Sequence, residues 1–164
     1  MKKEGQRAFS RKEEGEIESH LMASIDVTID RTRCSFLVDD PCSMAARNYG
    51  EFDAVLVSDC LDRIHAPAEC LERLVGEPGL VKVGGIVVVA SRTRWTERRT
   101  RKDKWLGGTV NSAGKEEYAM DGIKSIFEER MELLTTLDMP LLIRNDARNY
   151  QYSIVEASVW KRKA

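Results

Sequence analysis

Phe52-Asp-Ala-Val-Leu-Val-Ser-Asp59 and, after a helical pattern, Lys82-Val-Gly-Gly-Ile-Val-Val-Val-Ala90 decide the fold. In the first stretch an apolar run, Ala54 to Ser58, ends in polar residues. Ala66 to Val75 then reads as a helix, with Pro67 in its first turn and Cys70, Leu71 and Leu74 as the apolar stripe. The Gly84-Gly85 pair turns the chain into a second apolar run, Ile86 to Ala90. Strand, helix and strand in this order make a βαβ unit of an open parallel sheet. The unbroken apolar character of Ala54 to Val57 predicts burial on both faces. Ligands of such sheets sit at the carboxyl ends of the strands, so Ser58, Asp59 and Cys60 become site candidates.

Upstream, Cys34-Ser-Phe-Leu-Val38 reads as a strand closing on Asp39-Asp40-Pro41, and Met44 to Asn48 as one helical turn. The charged start, Met1 to Glu18, reads as a helix tail or frayed segment. The alternative is a polar hairpin about Glu14-Gly15. Residues His20 to Ile29 read as a short helix or loop. No Gly-rich strand-to-helix loop occurs between Met1 and Gly50. Downstream, Ser91 to Tyr118 forms a long polar segment with Trp95, Trp105 and Gly107-Gly108. A loop of that length inside a domain is commonly functional. Asp121 to Arg130 reads as a helix capped by Asp121. Met131 to Leu137 and Leu141 to Arg144 read as short strands, and Gln151 to Arg162 as a final strand antiparallel to that region.

The chain has 164 residues, 42% hydrophobic and 32% charged, which reads as one soluble, globular domain. With 26 basic against 27 acidic residues, its net charge gives no electrostatic case for nucleic acid or membrane. No apolar stretch approaches the roughly 18 residues of a spanning helix. Met-Lys-Lys-Glu-Gly leads into no apolar segment, so a cytoplasmic location is expected. The spacing of Cys34, Cys42, Cys60 and Cys70, with only two histidines, fits no zinc pattern, so free buried thiols and no metal are expected.

Ser58-Asp-Cys-Leu-Asp-Arg-Ile-His-Ala-Pro67, Lys104-Trp-Leu-Gly-Gly108, Ile143-Arg-Asn-Asp-Ala-Arg-Asn-Tyr-Gln-Tyr-Ser153 and the ending Val159-Trp160 stand in one order. Together they resemble the C-terminal S-adenosylmethionine-dependent methyltransferase domain of the ovothiol-biosynthesis enzyme. Lys3-Glu-Gly and Glu13-Glu-Gly-Glu-Ile17 resemble that family's insertion after its second helix. The resemblance covers nearly the whole chain but only about the last two thirds of the family domain. It implies an α/β, class I methyltransferase (Rossmann-like) sheet, N-terminally truncated, with a terminal antiparallel strand pair. Residues 1–164 then form a single partial domain: a charged insertion-like segment over 1–30 and a sheet core over 31–164 with its loop at 91–118. The family's first strand, its Gly-rich loop and the acidic residue ending its second strand have no counterpart here. Asp59 and Tyr152 stand where the family pattern has Asn and His.

The implied activity is N-methylation of the imidazole ring of a mercaptohistidine-type small molecule. Asp40, with Asp39 as its substitute, would accept a hydrogen bond from the adenine amino group; its other reading is a turn carboxylate before Pro41. Ser58 and Cys60 would line the cofactor. Asp59 would orient an imidazole nitrogen or take its proton, or else cap a helix. Tyr150 is the second catalytic candidate. Trp105 would close over a sulfonium, and the glycine pair beside it would let that lid move; the other reading is a buried anchor. Arg148 and Tyr152 would line the acceptor pocket, or serve as edge-strand packing. Asp62 and Arg63 read as an ion pair or cap, and Arg92 to Lys104 as a solvated basic face or a carboxylate holder. The competing expectation is a non-catalytic remnant or interaction module of the same fold; a dehydrogenase fragment is the third. Half a sheet would leave the edge of the Cys34–Val38 strand bare, so self-association or a missing N-terminal segment is expected.

Overall fold

The computed structural model describes residues 4–164, and two compact units account for them. The larger comprises 39–140 and 154–164. Its centre is the parallel pair β3 (Phe52–Ser58) and β4 (Val81–Ser91), connected by α2 (Pro67–Val75). The short helix α1 (Ala46–Tyr49) precedes them. On its other side β4 pairs antiparallel with β8 (Tyr150–Arg162), Val87 opposite Trp160 and Ala90 opposite Ala157. The outer strand is β7 (Met131–Arg144), giving the order β3-β4-β8-β7.

The Gly84-Gly85 pair lies within β4 rather than before it. The register jumps from Phe52↔Val81 to Ala54↔Ile86, so the extra residues 82–85 loop out of the ladder while the strand continues. The two short strands expected over 131–144 are one, and Pro140 sits inside it. β7 is an outer strand of the sheet, the place where a strand proline is accommodated.

The helix α3 (Ala119–Phe127) starts two residues before the expected position. Asp121 caps it from the third helical position rather than as the N-cap, which is Tyr118. The Asp121 carboxylate accepts the Tyr118 N–H at 3.3 Å, satisfying a donor just ahead of the first turn. The buried faces of α2 and α3 supply Leu71, Leu74, Val75, Ile123 and Phe127 to a core shared with Val57, Val87, Val89, Met131 and Trp160. Phe127 meets the Trp160 ring edge-on at 5.1 Å between centroids. The Trp160 indole N–H donates to Ser158 Oγ at 2.9 Å, which satisfies a buried donor. Burial of β3 is one-sided: Val57 is in the core, whereas Leu56 on the opposite face is 66% exposed. The expected burial on both faces is therefore corrected.

The smaller unit comprises the described residues up to 38 and residues 141–153. The charged start is the hairpin, not a helix tail: β1 (Gln6–Glu14) pairs antiparallel with β2 (Ile17–Ser24). Residues 17–24, expected as helix or loop over part of their length, are strand because 6–14 lies alongside and takes their backbone hydrogen bonds. The resemblance-based calls on Met1, Lys2 and Lys3 lie outside the described residues. Residues 34–38 form no strand, in contrast to the expectation, and belong to none of the sheets. An apolar run becomes a strand only when a neighbour takes its backbone hydrogen bonds. Its apolar side chains, Phe36, Leu37 and Val38, are exposed. Among the described residues the four-stranded sheet consequently ends in β3 on one side and β7 on the other, and not in 34–38. No described helix is long and apolar enough to cross a membrane.

Phe127 is fully buried. Phe127→Ala is expected to cost about 3–5 kcal/mol through lost transfer free energy and the cavity left beside Trp160. Urea denaturation followed by circular dichroism measures it.

Candidate functional site

The carboxyl ends of β3 and β4 carry two non-glycine residues in the left-handed region, Asp59 at φ 49° and Thr93 at φ 50°. For a β-branched residue such as Thr93 this conformation is a true outlier, and strain of this kind persists only where surroundings over-determine it. The restraints are visible. The Asp59 N–H donates to the Ala90 carbonyl at 2.7 Å, extending the ladder one residue past β3. The Thr93 N–H donates to Ser91 Oγ at 3.1 Å, and the Arg94 N–H donates to Asp62 Oδ2 at 2.8 Å.

Around Asp59 two guanidinium groups converge. Arg92 donates from Nε to Oδ1 at 2.8 Å and from Nη2 to Oδ2 at 2.5 Å, a fork that matches the carboxylate plane. Arg63 adds a bond to Oδ2 at 3.1 Å. Arg92 is 8% exposed, and its hydrogen bonds to Asp59 hold its guanidinium above its ordinary pKa. Asp59 does not cap the following 3₁₀ turn, Leu61–Arg63, whose N-cap is Cys60. Asp62 is buried; its Oδ1 has no hydrogen bond and lies 3.6 Å from Arg63 Nε. The basic segment 92–104 is a solvated face at Arg94, Arg98, Arg99, Arg101, Lys102 and Lys104, and departs from it at Arg92, which holds Asp59.

Trp105 is a half-buried anchor. Its indole N–H donates to the Thr100 carbonyl at 2.8 Å, and its ring stacks on Trp95 with centroids 6.2 Å apart. The glycines near it serve close approach. A Cβ at Gly107 would lie 2.2 Å from the Tyr118 carbonyl carbon, and one at Gly122 would lie 2.0 Å from the Leu106 carbonyl oxygen. The loop thus contacts the start of α3 backbone to backbone.

Asp39 and Asp40 precede Pro41 in irregular chain, not at a strand end. Asp39 accepts from the Tyr49 hydroxyl, which lowers the Asp39 carboxyl and raises the Tyr49 phenol from their ordinary pKa values. Asp40 accepts the Cys42 N–H at 3.0 Å. Ser58 is exposed and Cys60 half-buried. An apolar groove of about 370 Å³ runs along β3 beside them, lined by Pro41, Met44, Leu56, Cys60, Cys70 and Leu74 among others.

In the smaller unit, Arg148, Tyr150 and Tyr152 stand at the turn between β7 and β8. Asp146 builds that turn by accepting the Arg148 and Asn149 N–H groups at 2.9 and 2.8 Å. Arg144 lies over the Tyr150 ring, 5.6 Å from its centroid. Tyr150 and Tyr152 are exposed. Sequence reasoning took Arg92 only as part of a basic run, without its link to Asp59, and passed over Thr93. The signal was present in Ser91-Arg-Thr-Arg94, which ends the second strand beside Asp59.

The order β3-β4-β8-β7, with a parallel pair followed by an antiparallel final strand, is that of a class I methyltransferase-type (Rossmann-like) α/β sheet with a terminal antiparallel pair. The chain is similar in fold to a protein solved in connection with the conversion of a disulfide bond into a thioacetal group during echinomycin biosynthesis. Identity is 15% and the TM-score 0.51, over 78% of this chain and 55% of that one. A second likeness is to the N-methyltransferase NodS from Bradyrhizobium japonicum WM9 in complex with S-adenosyl-L-homocysteine. There identity is 13% and the TM-score 0.49, over 82% of this chain and 58% of that one. The chain therefore spans just over half the length of these structures. No family model and no curated protein matches the sequence.

All four cysteines are free thiols. Burial pushes Cys42 and Cys60 up and Cys70 up to about 12, from an ordinary 9.0. Between about 9 and 12 the unfolded chain loses the Cys70 proton while the folded chain keeps it, so stability falls as pH rises through that window. Urea titrations at stepped alkaline pH should show this slope, and Cys70→Ala should flatten it.

Proposed function

We propose that this chain is part of an S-adenosylmethionine-dependent N-methyltransferase whose acceptor is the imidazole ring of a mercaptohistidine-type small molecule, as in ovothiol biosynthesis. The observation that carries the reading is the strained pair Asp59 and Thr93 at adjacent strand ends, with Asp59 fixed by Arg92. Strain at the carboxyl edge of such a sheet is a signature of a working site. A cytoplasmic setting suits four unpaired thiols.

The residues present fit part of such a cofactor. Asp40 is an exposed carboxylate with acceptor capacity beyond its bond to the Cys42 N–H, as an adenine amino group requires. Ser58 and Cys60 flank the mouth of β3. The described residues offer no Gly-rich turn for the methionine end. When bound, the cofactor supplies a methyl group activated on a sulfonium. What this chain adds is orientation. With both oxygens held by Arg92, Asp59 keeps free lone pairs at a fixed position, so it accepts a ring N–H and aims the opposite nitrogen. For Arg148, Tyr150 and Tyr152 the resemblance alone supports a role in acceptor binding, with Arg148 as a partner for a carboxylate. Trp105 serves as an anchor of the neighbouring loop.

A second reading, a non-catalytic remnant or interaction module, is favoured by the unpaired outer edge of β3. Calorimetry with S-adenosylmethionine and S-adenosylhomocysteine separates the two. On the first reading both bind. Asp40→Ala then weakens binding about tenfold or more, the value of a hydrogen bond to a charged group. Asp59→Ala slows methylation of mercaptohistidine by about 10²-fold or more. A folded chain that binds neither ligand leaves the second reading.

A further inference from the structure

The fold brings His65 beside Asp40 and Cys42, which stand 25 and 23 residues before it. Single donor atoms of Asp40, Cys42 and His65 all lie within 4.8 Å of one another. We propose that these residues bind a zinc ion, with the fourth position open to water. The proposal does not rest on the methyltransferase reading.

The donor set selects the metal. A thiolate, an imidazole and a carboxylate suit borderline-soft zinc, whereas magnesium and calcium call for oxygen ligands throughout. Zinc–ligand bonds of about 2.0–2.3 Å in a tetrahedron separate donors by about 3.3–3.7 Å, so the three need to close by little more than 1 Å. Thiolate and carboxylate together neutralise the dication, which removes the charge cost of the site.

Both ligand segments are fastened through their backbone carbonyls. Arg73 of α2 donates from its Nε to the Cys42 carbonyl and from Nη1 to the Met44 carbonyl at 3.4 Å, tying the Cys42 segment to the helix that follows His65. Thr100 Oγ donates to the Ile64 carbonyl at 2.8 Å and pins the residue before His65. The Cys42 N–H bonds Asp40 Oδ1 at 3.0 Å, setting the carboxylate beside the thiol. The Cys42 Sγ–H now points to the Ala66 carbonyl at 3.4 Å. On binding, the Sγ–Zn bond forms, the S–H bond breaks and the proton leaves to solvent.

The test uses the whole chain, stripped with a chelator and then titrated with zinc in a calorimeter and with cobalt(II) in a spectrophotometer. One equivalent of each is expected, cobalt giving a near-ultraviolet thiolate charge-transfer band. Cys42→Ser should abolish the band. Loss of an outer partner alone costs 10–100-fold in metal affinity, so loss of this ligand should cost more than about 100-fold. His65 and Asp40 are exposed, so His65→Gln and Asp40→Asn test the site without disturbing the core, and each should weaken zinc at least tenfold. Cys34→Ser should change nothing. Sub-stoichiometric binding, cobalt uptake without the band, or affinity unchanged in His65→Gln would overturn the proposal. Calorimetry with S-adenosylmethionine on the metal-free chain reports separately on the methyltransferase reading.

Discussion

β4 must be paired along both edges, and most of the larger unit is arranged to meet that demand. Its side chains Val87 and Val89 are fully enclosed, so a backbone group left unpaired beside them would cost about 1–3 kcal/mol. β3 supplies a parallel partner on one edge, which obliges a crossover, and α2 is that crossover. β8 supplies an antiparallel partner on the other, which lets the chain finish without a second crossover. α2 and α3 then cover the face on which Val57, Val87 and Trp160 lie.

The same pairing makes the site. Parallel strands end at the same level, so the residues that leave β3 and β4 meet as neighbours, and each must turn sharply to reach its next element. Asp59 and Thr93 take those turns. The Arg92 fork on Asp59 and the Asp62 carboxylate on the Arg94 N–H hold the two departing chains against each other. The mouth is thus built from polar contacts between strand ends.

Elements with a strong apolar pattern of their own were legible. The run at 54–58, the Pro67-led helix, the run at 86–90 and the final alternating strand were all readable from apolar pattern and turn residues. Elements whose state depends on whether a partner strand lies alongside were not. Residues 34–38 have strand composition but no ladder, and 17–24 became strand because 6–14 lies opposite. At the site, position and residue type marked Ser58, Asp59 and Cys60. The grip of Arg92 on Asp59 crosses 33 residues and has no local pattern. The nearness of His65 to Cys42 is hidden in the same way, because the ligands come from two segments whose spacing matches no metal motif.

The glycines at 107 and 122 bear on how the region beside the mouth moves. With peptide planes in direct contact and no side chain between them, the segment 105–108 and the start of α3 have no cushion that could slide. The Gly108 N–H also bonds the Glu117 carbonyl at 2.7 Å. Such a joint behaves as a weld rather than a hinge. The loop can rise only by carrying the helix with it, which would tear Ile123 and Phe127 out of the core. Traffic past this rim is therefore left to side-chain rotations, on a far faster clock than the opening of a lid.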